Sequence, residues 1–355
     1  MLEIASAGAC CPVWQFYGWC RNKTPPVQGF VPDARHSSHA LLTTCTHGDA
    51  TTMRLVTRSD FDGLICGVLL KSIGLIDSFK FVHPKDLQDG IIEITSDDVL
   101  ANVPYVDGCG MWFDHHTSEH ERIGDIHYEG FSKPLPSCAR VIWEYYGGHA
   151  KFPKELDEML DAVDRVDSGN LTVEDITRPF GWVLLGFIMD PRTGLGRYRD
   201  YRISNYQLML DLIDYCATKP IEEIIALPDV NERIVRYIAQ EHQFQTMLQS
   251  CSASYDNVLV INLLEQEEIF TGNRFTAYAL FPSCNVSVQV MWGLKKQNIV
   301  FSVGHSILNR TCKTDVGSLM LKNNGGGHRQ VGTCQIPTEI AEAKLAEIVE
   351  ILREN

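Results

Sequence analysis

The sequence predicts a two-domain α/β protein with a parallel sheet in its first domain and a smaller, strand-rich second domain. Its 355 residues are too many for one typical hydrophobic core. Residues 53–90 follow a β-α-β pattern, which is typical of a parallel sheet. After a long helix at 230–250, the chain turns to segments typical of strands, at 258–263, 275–281, 286–292 and 299–303.

The N-terminal segment 1–52 differs from the rest of the chain. Gly, Pro, Ser, Thr and Cys dominate it without sustained periodicity, which favours a disordered extension. Its potential zinc ligands are Cys10, Cys11, Cys20, Cys45 and His47. Their spacings fit no compact zinc motif. We therefore expect the first domain at 53–228, and the connector helix with the second domain at 229–355.

The β-α-β unit contains the first candidate site. Its strand, turn, helix and second strand are predicted at 54–57, 60–63, 64–73 and 79–82. In the turn, Asp60 and Asp62 flank one residue, so both carboxylates can face the same ligand. Gly63 lets the backbone swing into the helix. The same Asp-x-Asp-Gly pattern is also a common turn and N-cap signature, so the metal interpretation depends on the neighbouring strands.

The strongest candidate site follows a later strand of the same domain. The apolar residues 111–113 are typical of a buried strand, and they run directly into Asp114, His115 and His116. Active sites of open α/β sheets lie at the carboxyl ends of the strands, which is where these side chains fall. One Asp-His pair can be a simple cap or hydrogen bond, but three consecutive groups favour a functional site.

A helix predicted at 155–163 leads into a turn that supplies a further carboxylate. The groups of the first domain that can bind a metal lie on three separate loops, and they are Asp60, Asp62, Asp114, His115, His116 and Asp167. Carboxylates and imidazoles without thiolates suit Mn²⁺ or Mg²⁺. Two such ions about 3.5–4 Å apart can activate a water molecule and hold a phosphoryl group.

The second domain offers a complementary site for an anion. A helix predicted at 315–322 is followed by three glycines at 325–327, whose backbone N–H groups are free to form an anion-binding nest. A glycine triplet alone is most often a flexible loop. With His328 after it and Arg310 nearby, a phosphate cradle is the better interpretation. A helix at 339–352 closes the chain.

The composition and charge argue against duplex nucleic acid and membranes as partners of this protein. A formal net charge of -14 gives the protein no global basic field to attract duplex nucleic acid. The longest apolar run, at 180–189, is too short to cross a membrane. The 12 cysteines include no Cys-x-x-Cys pair, and the N-terminus lacks the pattern of a signal peptide. We therefore expect a reducing, cytoplasmic setting.

Four motifs resemble, in order, those of the DHH/DHHA1 phosphoesterase superfamily. They are Asp-Phe-Asp-Gly at 60–63, Phe-Asp-His-His at 113–116, Val-Asp-Ser-Gly at 166–169 and Gly-Gly-Gly-His at 325–328. That superfamily includes RecJ-type nucleases, nanoRNases and pAp phosphatases, cyclic-di-AMP phosphodiesterases and exopolyphosphatase-like proteins. The resemblance covers residues 53–355 and leaves the N-terminal segment outside.

The resemblance implies a parallel-sheet DHH domain with two Mn²⁺ ions and a mixed-sheet DHHA1 domain that grips the substrate across a cleft. By motif, the metal ligands would be Asp60, Asp62, Asp114, His115 and Asp167. His116 would contact the scissile phosphate or assist proton transfer, with Asp114 as a ligand or a support. The substrate phosphates would be held by Arg310, Gly325, Gly326, Gly327 and His328. Homodimers occur among relatives, which leaves a homodimer open.

The first motif departs from the family pattern. The family usually has a His four residues before the first Asp, and here that position is Val56. Neither Thr57 nor Arg58 supplies an imidazole ligand.

The second motif also departs. The family usually has an Asp at the end of the strand before the Asp-His-His strand. The strand predicted at 98–105 offers Asn102 near that place, with Asp98 and Asp107 as imperfect candidates. An Asn bridges two cations poorly, because it carries no charge to offset their repulsion. The site could therefore hold one metal, hold two weakly, or be inactive.

We predict a metal-dependent phosphohydrolase that acts on a small phosphate-rich substrate. The candidates are a short single-stranded oligonucleotide, a pAp-like nucleotide and polyphosphate, with neither duplex nucleic acid nor a membrane as partner. A second hypothesis is a ligand-binding or regulatory protein on a DHH scaffold whose metal site has decayed. A third is a protein–protein module that uses the Cys-rich residues 1–52.

Overall fold

The computed structural model describes residues 52–116, 119 and 122–354. The predictions for the N-terminal extension, including its zinc ligands and its disorder, concern residues that lie outside this described part, apart from Thr52.

The first sheet is parallel throughout and has the strand order β2-β1-β3-β4-β5. Its strands are β1 (Met53–Arg58), β2 (Ile76–Val82), β3 (Asp98–Ala101), β4 (Met111–Asp114) and β5 (Gly130–Ser132). Because all five strands run the same way, their carboxyl ends meet at one edge. Asp60, Asn102 and Asp114 follow or end β1, β3 and β4 at this edge. The predicted parallel sheet is confirmed.

Helices surround this sheet and complete its core. They are α1 (Phe61–Ser72), α2 (Pro84–Gln88), α3 (Cys138–Tyr145), α4 (Asp157–Asp167), α5 (Val173–Thr177), α6 (Gly181–Met189), α7 (Asn205–Thr218) and α8 (Ile221–Ala226). Residues 181–189 are apolar because α6 runs through the core, where Phe187 joins Leu69 and Phe113 in one buried cluster. The apolar region thus belongs to the core of the first sheet.

A 24-residue helix, α9 (Pro228–Cys251), leads to the second sheet. The six strands there have the order β10-β11-β9-β8-β7-β6. They are β6 (Ser252–Tyr255), β7 (Val258–Asn262), β8 (Val286–Trp292), β9 (Ile299–His305), β10 (Gly326–His328) and β11 (Val331–Ile336). The pair β7 and β8 is parallel and the other neighbours are antiparallel, which confirms the mixed sheet.

Three helices accompany the second sheet: α10 (Thr276–Leu280), α11 (Val316–Lys322) and α12 (Ala341–Arg353). Val288 and Phe301 of the sheet pack with Leu352 of α12 in a cluster separate from the core of the first sheet. Each sheet therefore has its own hydrophobic core.

The strand predicted at 275–281 is wrong, because this segment forms helix α10. The Asn273 side chain accepts a hydrogen bond from the Phe275 N–H at 2.9 Å, which turns the chain before the helix. The Tyr278 hydroxyl then bonds Ser287 Oγ at 2.9 Å and the Gly304 carbonyl at 3.1 Å. Short apolar runs do not distinguish a strand from a buried helix, and here the tertiary contacts decide.

Two boundaries at the polar edge of the first sheet differ from prediction for local reasons. Helix α1 begins at Phe61 rather than 64, because the Asp60 carboxylate caps it by accepting from the Gly63 N–H at 3.0 Å. Strand β3 ends at Ala101 rather than 105, because Asn102 adopts a left-handed φ of 55°. Both changes bring polar side chains to the same edge.

Among the described residues, no helix combines the length and the apolar character needed to cross a membrane.

Candidate functional site

Three of the predicted metal ligands lie together at the carboxyl edge of the first sheet. One ligand atom each from Asp62, His115 and Asp167 lies within 4.8 Å of the other two. The distance from His115 Nε2 is 3.2 Å to Asp167 Oδ2 and 3.8 Å to Asp62 Oδ2. This nitrogen is buried, and it has no hydrogen-bond partner among the described residues. The three side chains form what we call the metal cluster.

The metal cluster suits a hard divalent cation. Two carboxylates and one imidazole without a thiolate match Mn²⁺ or Mg²⁺. Burial, followed by repulsion from Asp167, raises the pKa of Asp62 to about 7. A cation would relieve that repulsion and would give the unpartnered His115 nitrogen a ligand bond. A bound cation would therefore be a better partner for these three side chains than they are for one another.

Backbone groups hold the metal cluster in position. The N–H groups of Cys138 and Ala139, at the start of α3, donate to the two Asp62 oxygens at 2.9 and 2.8 Å. The positive end of the helix dipole thus faces this carboxylate, which keeps free lone pairs for a cation. His115 Nδ1 lies 3.1 Å from the Leu135 carbonyl oxygen. An Nδ1–H donated to that carbonyl leaves Nε2 as the ligand atom.

Asp114 lies against His116 and outside the metal cluster. Its fully buried carboxylate is 2.8 Å from His116 Nδ1 and accepts the His116 backbone N–H at 3.2 Å. Burial alone would lower the pKa of His116. The hydrogen bond and charge of Asp114, helped by Asp167, outweigh burial and raise this pKa to about 9. Asp114 therefore favours the protonated imidazole.

The second domain brings His328 to the same place. The rings of His116 and His328 are stacked, with centroids 5.9 Å apart and an interplanar angle of 28°. Burial, followed by repulsion from His116, lowers the pKa of His328. Two facing imidazoles thus have pKa values pushed in opposite directions, a pattern that separates acid and base roles.

The glycine triplet is extended instead of forming the predicted nest. Gly326 and Gly327 belong to β10, which pairs with β11 at the edge of the second sheet. A Cβ on Gly327, whose φ is 155°, would lie 2.3 Å from the Val331 carbonyl oxygen, and a Cβ on Gly325 would lie 2.2 Å from that of Thr333. The glycines allow close strand approach, and Gly326 faces open space. Their contact with substrate stays a prediction.

Arg310 connects the two domains next to the metal cluster. Its Nη2 donates to the Gly169 carbonyl at 2.8 Å, and its Nε donates to the Ile307 carbonyl at 2.9 Å. Gly169 follows Asp167 by two residues, so this contact fixes the second domain against the loop that carries a predicted ligand. The role of Arg310 as a phosphate ligand stays a prediction.

Asp60 lies two residues from the metal cluster but is bonded to protein groups. Its Oδ2 forms an ion pair with Arg58 Nε at 2.9 Å. Its Oδ1 accepts hydrogen bonds from Asn102 Nδ2 at 3.1 Å and from the Gly63 N–H at 3.0 Å. Burial raises the pKa of Asp60, and the Arg58 charge opposes that rise. We call Arg58, Asp60 and Asn102 the arginine cluster.

The two motif departures are both visible in the sheet. Val56 is fully buried in β1 and packs with Leu100 and Trp112, so it offers no ligand. Asn102 occupies the predicted place at the end of β3, directly against Asp60. Asp98 lies at the start of the same strand and pairs with Arg54 at 2.6 Å, which removes it from the site.

A group of one carboxylate and two guanidiniums, which sequence reasoning missed, lies next to the metal cluster. Asp190 and Arg192 line a small cavity together with Asp60, Asp62 and Asp167. Arg192 Nε pairs with Asp190 Oδ1 at 2.8 Å, and Arg274 Nε lies 3.6 Å from Asp190 Oδ2. Two guanidiniums thus share one carboxylate.

The sequence signal for this group was weak. The Asp-Pro-Arg sequence at 190–192 interrupts an apolar region, but nothing links it to Arg274, which comes from the second half of the chain. Loss of water contact, followed by repulsion from Arg192, lowers the pKa of Arg274 to about 10. The group has one net positive charge beside the carboxylates of the site.

A solved structure of the pGpG-specific phosphodiesterase PggH from Vibrio cholerae is similar to this chain, with 49% sequence identity and a TM-score of 0.74. The match covers 85% of this chain and 99% of that protein. RecJ from Thermus thermophilus, solved with Mg²⁺, matches with 13% identity and a TM-score of 0.43, covering 86% of this chain and 50% of RecJ. That likeness is too distant to carry an argument. No known family profile and no curated protein matches the chain.

The ordered motifs, the two sheets and this extensive match lead to the same assignment. The parallel sheet presents the Asp-His-His motif at its carboxyl edge, and the second sheet brings the glycine-rich motif to it. The chain belongs to the DHH/DHHA1 phosphoesterase superfamily.

Proposed function

We propose that this protein is a metal-dependent phosphodiesterase that hydrolyses a short 5′-phosphorylated dinucleotide of the pGpG type. The observation that carries the proposal is the meeting of the metal cluster with His116 and His328, which come from different domains. The 49% identity to a pGpG-specific phosphodiesterase supports this substrate class. The net charge of -14 favours a small ligand held by local positive groups over a long duplex.

We propose Asp62, His115 and Asp167 as the residues that hold the cation, with Mn²⁺ preferred and Mg²⁺ as the alternative. A bound ion of this kind polarises a phosphoryl oxygen and lowers the pKa of a water molecule. The chain contributes preorganisation, because the α3 N–H groups fix Asp62 and the Leu135 carbonyl fixes the His115 ring.

His116 is suited to protonate the leaving oxygen. Hydrolysis forms a P–O bond to water and breaks the P–O bond to the 3′ oxygen, which must then gain a proton. Asp114 holds Nδ1 and favours the protonated ring, so Nε2 is left to donate. His328, with its lowered pKa, faces His116 as a neutral hydrogen-bonding partner for the substrate.

Arg192 and Arg274 are suited to bind the terminal phosphate. A 5′-phosphorylated dinucleotide has a second phosphate beyond the scissile one, and that group needs a cationic partner outside the metal cluster. Arg192 borders the same cavity as Asp62 and Asp167. Both guanidiniums are about one-third exposed, at 35% and 36%, so they can exchange water for phosphate oxygens.

Nucleotide release from a substrate panel tests the proposal. The panel contains pGpG, an unphosphorylated dinucleotide, pAp, a cyclic dinucleotide, pyrophosphate and polyphosphate, each with Mn²⁺ and with chelator. We expect metal-dependent release of mononucleotide from pGpG and much slower turnover of the others. Turnover that persists in chelator contradicts the metal requirement. Silence across the whole panel with folded, metal-supplied protein favours a regulatory binding protein instead.

The oligomeric state and the location are further proposals. We propose a homodimer, because homodimers occur among relatives, and light scattering of the full chain tests it. We also propose a cytoplasmic setting, which cell fractionation tests. The eight described cysteines are unpaired thiols, and this supports a reducing environment.

A further inference from the structure

In the arginine cluster, a protein cation already balances the charge of Asp60. Its Oδ1 accepts hydrogen bonds from Asn102 Nδ2 at 3.1 Å and from the Gly63 N–H at 3.0 Å, and its Oδ2 forms an ion pair with the cationic Arg58 Nε at 2.9 Å. A metal ion at Oδ2 would be repelled by the Arg58 charge beside that oxygen. Asp60 is therefore satisfied by the protein alone.

The residues around Asp60 also lack the ligands that a second ion would need. Val56, where the family has an imidazole, is buried in apolar contacts. Asn102, where the family has a bridging carboxylate, directs its NH₂ group at Asp60 and carries no charge to offset cation repulsion. The donor set thus fits one ion at the metal cluster and does not fit a second ion at the arginine cluster.

We infer that Arg58 takes the place of the second metal ion. The site then holds one divalent cation on Asp62, His115 and Asp167, and the Arg58 guanidinium, anchored by Asp60, supplies the second positive charge toward the phosphoryl group. This inference rests on the proposed phosphodiesterase function for its substrate. Its metal count stands independently of that function.

The geometry of Arg58 suits this role. Guanidinium has five N–H donors, and the Nε contact with Asp60 leaves the terminal nitrogens for phosphate oxygens. The side chain is 34% exposed, so a substrate can reach it. The charge of Arg58 acts to lower the pKa of His116. An arginine at this edge of the sheet can stabilise charge that develops on the transferring phosphoryl group.

The number of bound ions tests the inference without any substrate. After equilibrium dialysis against Mn²⁺, we expect one tightly bound ion per wild-type chain by elemental analysis, and one Mn²⁺ spectrum without spin coupling by electron paramagnetic resonance. Two tightly bound, spin-coupled ions per chain would overturn the inference and leave the proposed phosphodiesterase function intact. Conversely, one bound ion per chain without turnover of pGpG would contradict the proposed function and leave the inferred metal count intact.

A double substitution tests whether the arginine cluster is a converted metal site. In Arg58→Gln/Asn102→Asp, two carboxylates face each other without a protein cation, so we expect a second Mn²⁺ per chain. A folded double variant that still binds one ion would contradict the replacement. If this variant fails to fold, the number of Mn²⁺ ions per wild-type chain and the single Arg58 substitutions still test the inference.

The single variants measure the contribution of Arg58 to turnover. Arg58→Gln should lower kcat on the order of 10²- to 10³-fold while the wild-type ion stays bound, and Arg58→Lys should recover part of that loss. Arg54→Gln is the matched control, because Arg54 lies on the same strand, is also 34% exposed and pairs with a buried Asp at the opposite edge. The role of Arg58 would be contradicted if Arg58→Gln kept kcat within twofold of the wild-type value. Equal losses of kcat in Arg58→Gln and Arg54→Gln would contradict it as well.

Discussion

Asp60 and Asp62 lie two residues apart in one turn, yet their surroundings are opposite in kind. Around Asp60 the protein supplies every partner, including the Arg58 cation. Around Asp62 the backbone supplies two donors, but the next charge is another carboxylate, Asp167, and the His115 nitrogen between them has no partner among the described residues. The chain thus neutralises one carboxylate itself, and we propose that an external cation neutralises the other.

Removing the imidazole from the metal cluster should give the largest effect of all. We expect His115→Ala to lower kcat by at least about 10³-fold and to abolish tight Mn²⁺ binding, because the substitution deletes one of three ligands. Steady-state kinetics and calorimetry measure both quantities. The control is His149→Ala, since His149 is an exposed histidine that pairs only weakly with Asp157 at 3.5 Å. Full activity in His115→Ala would remove the metal cluster from the mechanism.

Removing the support of the proton donor should give the next largest effect. We expect Asp114→Asn to lower kcat on the order of 10²-fold. Without its carboxylate, the pKa of His116 falls from about 9 toward the ordinary value near 6.5, so the protonated form is lost at lower pH. The alkaline limb of the pH–rate profile should therefore also move to lower pH. An unchanged profile would mean that His116 is not the acid.

The neighbouring group of Asp190, Arg192 and Arg274 should resemble the arginine cluster in being satisfied by protein charge. We expect Asp190→Asn to destabilise the fold by about 1–3 kcal/mol. This loss is smaller than that for breaking a fully buried ion pair, because both guanidiniums are about one-third exposed. Urea denaturation measures this change. Asp200→Asn removes an exposed partner of Arg236 and should leave the free energy of unfolding nearly unchanged, because solvent screens this ion pair. Equal effects in both variants would contradict the charge argument.

The smallest expected effect is the pH dependence of metal affinity. The folded-state pKa of Asp62, about 7, lies above its unfolded value. In metal-free protein the folded state therefore binds the extra proton, and stability falls as pH rises from about 4 toward 7. Metal binding requires the ionised carboxylate, so affinity for Mn²⁺ should rise on the order of tenfold between pH 6 and pH 8. Calorimetry at constant ionic strength measures this affinity. An Mn²⁺ affinity that stays constant or falls between pH 6 and pH 8 would contradict the prediction.

The sequence indicated that Asp62, His115 and Asp167 lie close together, because these residues belong to short motifs at the ends of regular elements, whereas Asp60 and Asp114 of the same predicted set lie outside the metal cluster. Asp62 lies in the first turn of α1 after β1, and His115 follows β4, so the parallel sheet places both at its carboxyl edge, where Asp167 at the end of α4 joins them. The fold class follows from the same periodicity.

The partners of Asp60 could not be predicted in the same way. Arg58 is close in sequence, but strand alternation alone does not show that its side chain turns back to pair with Asp60. Arg274 reaches Asp190 through a tertiary contact, for which the local sequence has no signal. The helix at 276–280 was mistaken for a strand for the same reason, since its contacts with β8 and β9 decide its conformation.

The most direct test of the difference between Asp60 and Asp62 is anomalous diffraction at the manganese edge from crystals grown with Mn²⁺. We expect one anomalous peak per chain, coordinated by Asp62, His115 and Asp167, with Arg58 still paired to Asp60. A second peak coordinated by Asp60, with the arginine displaced, would contradict it.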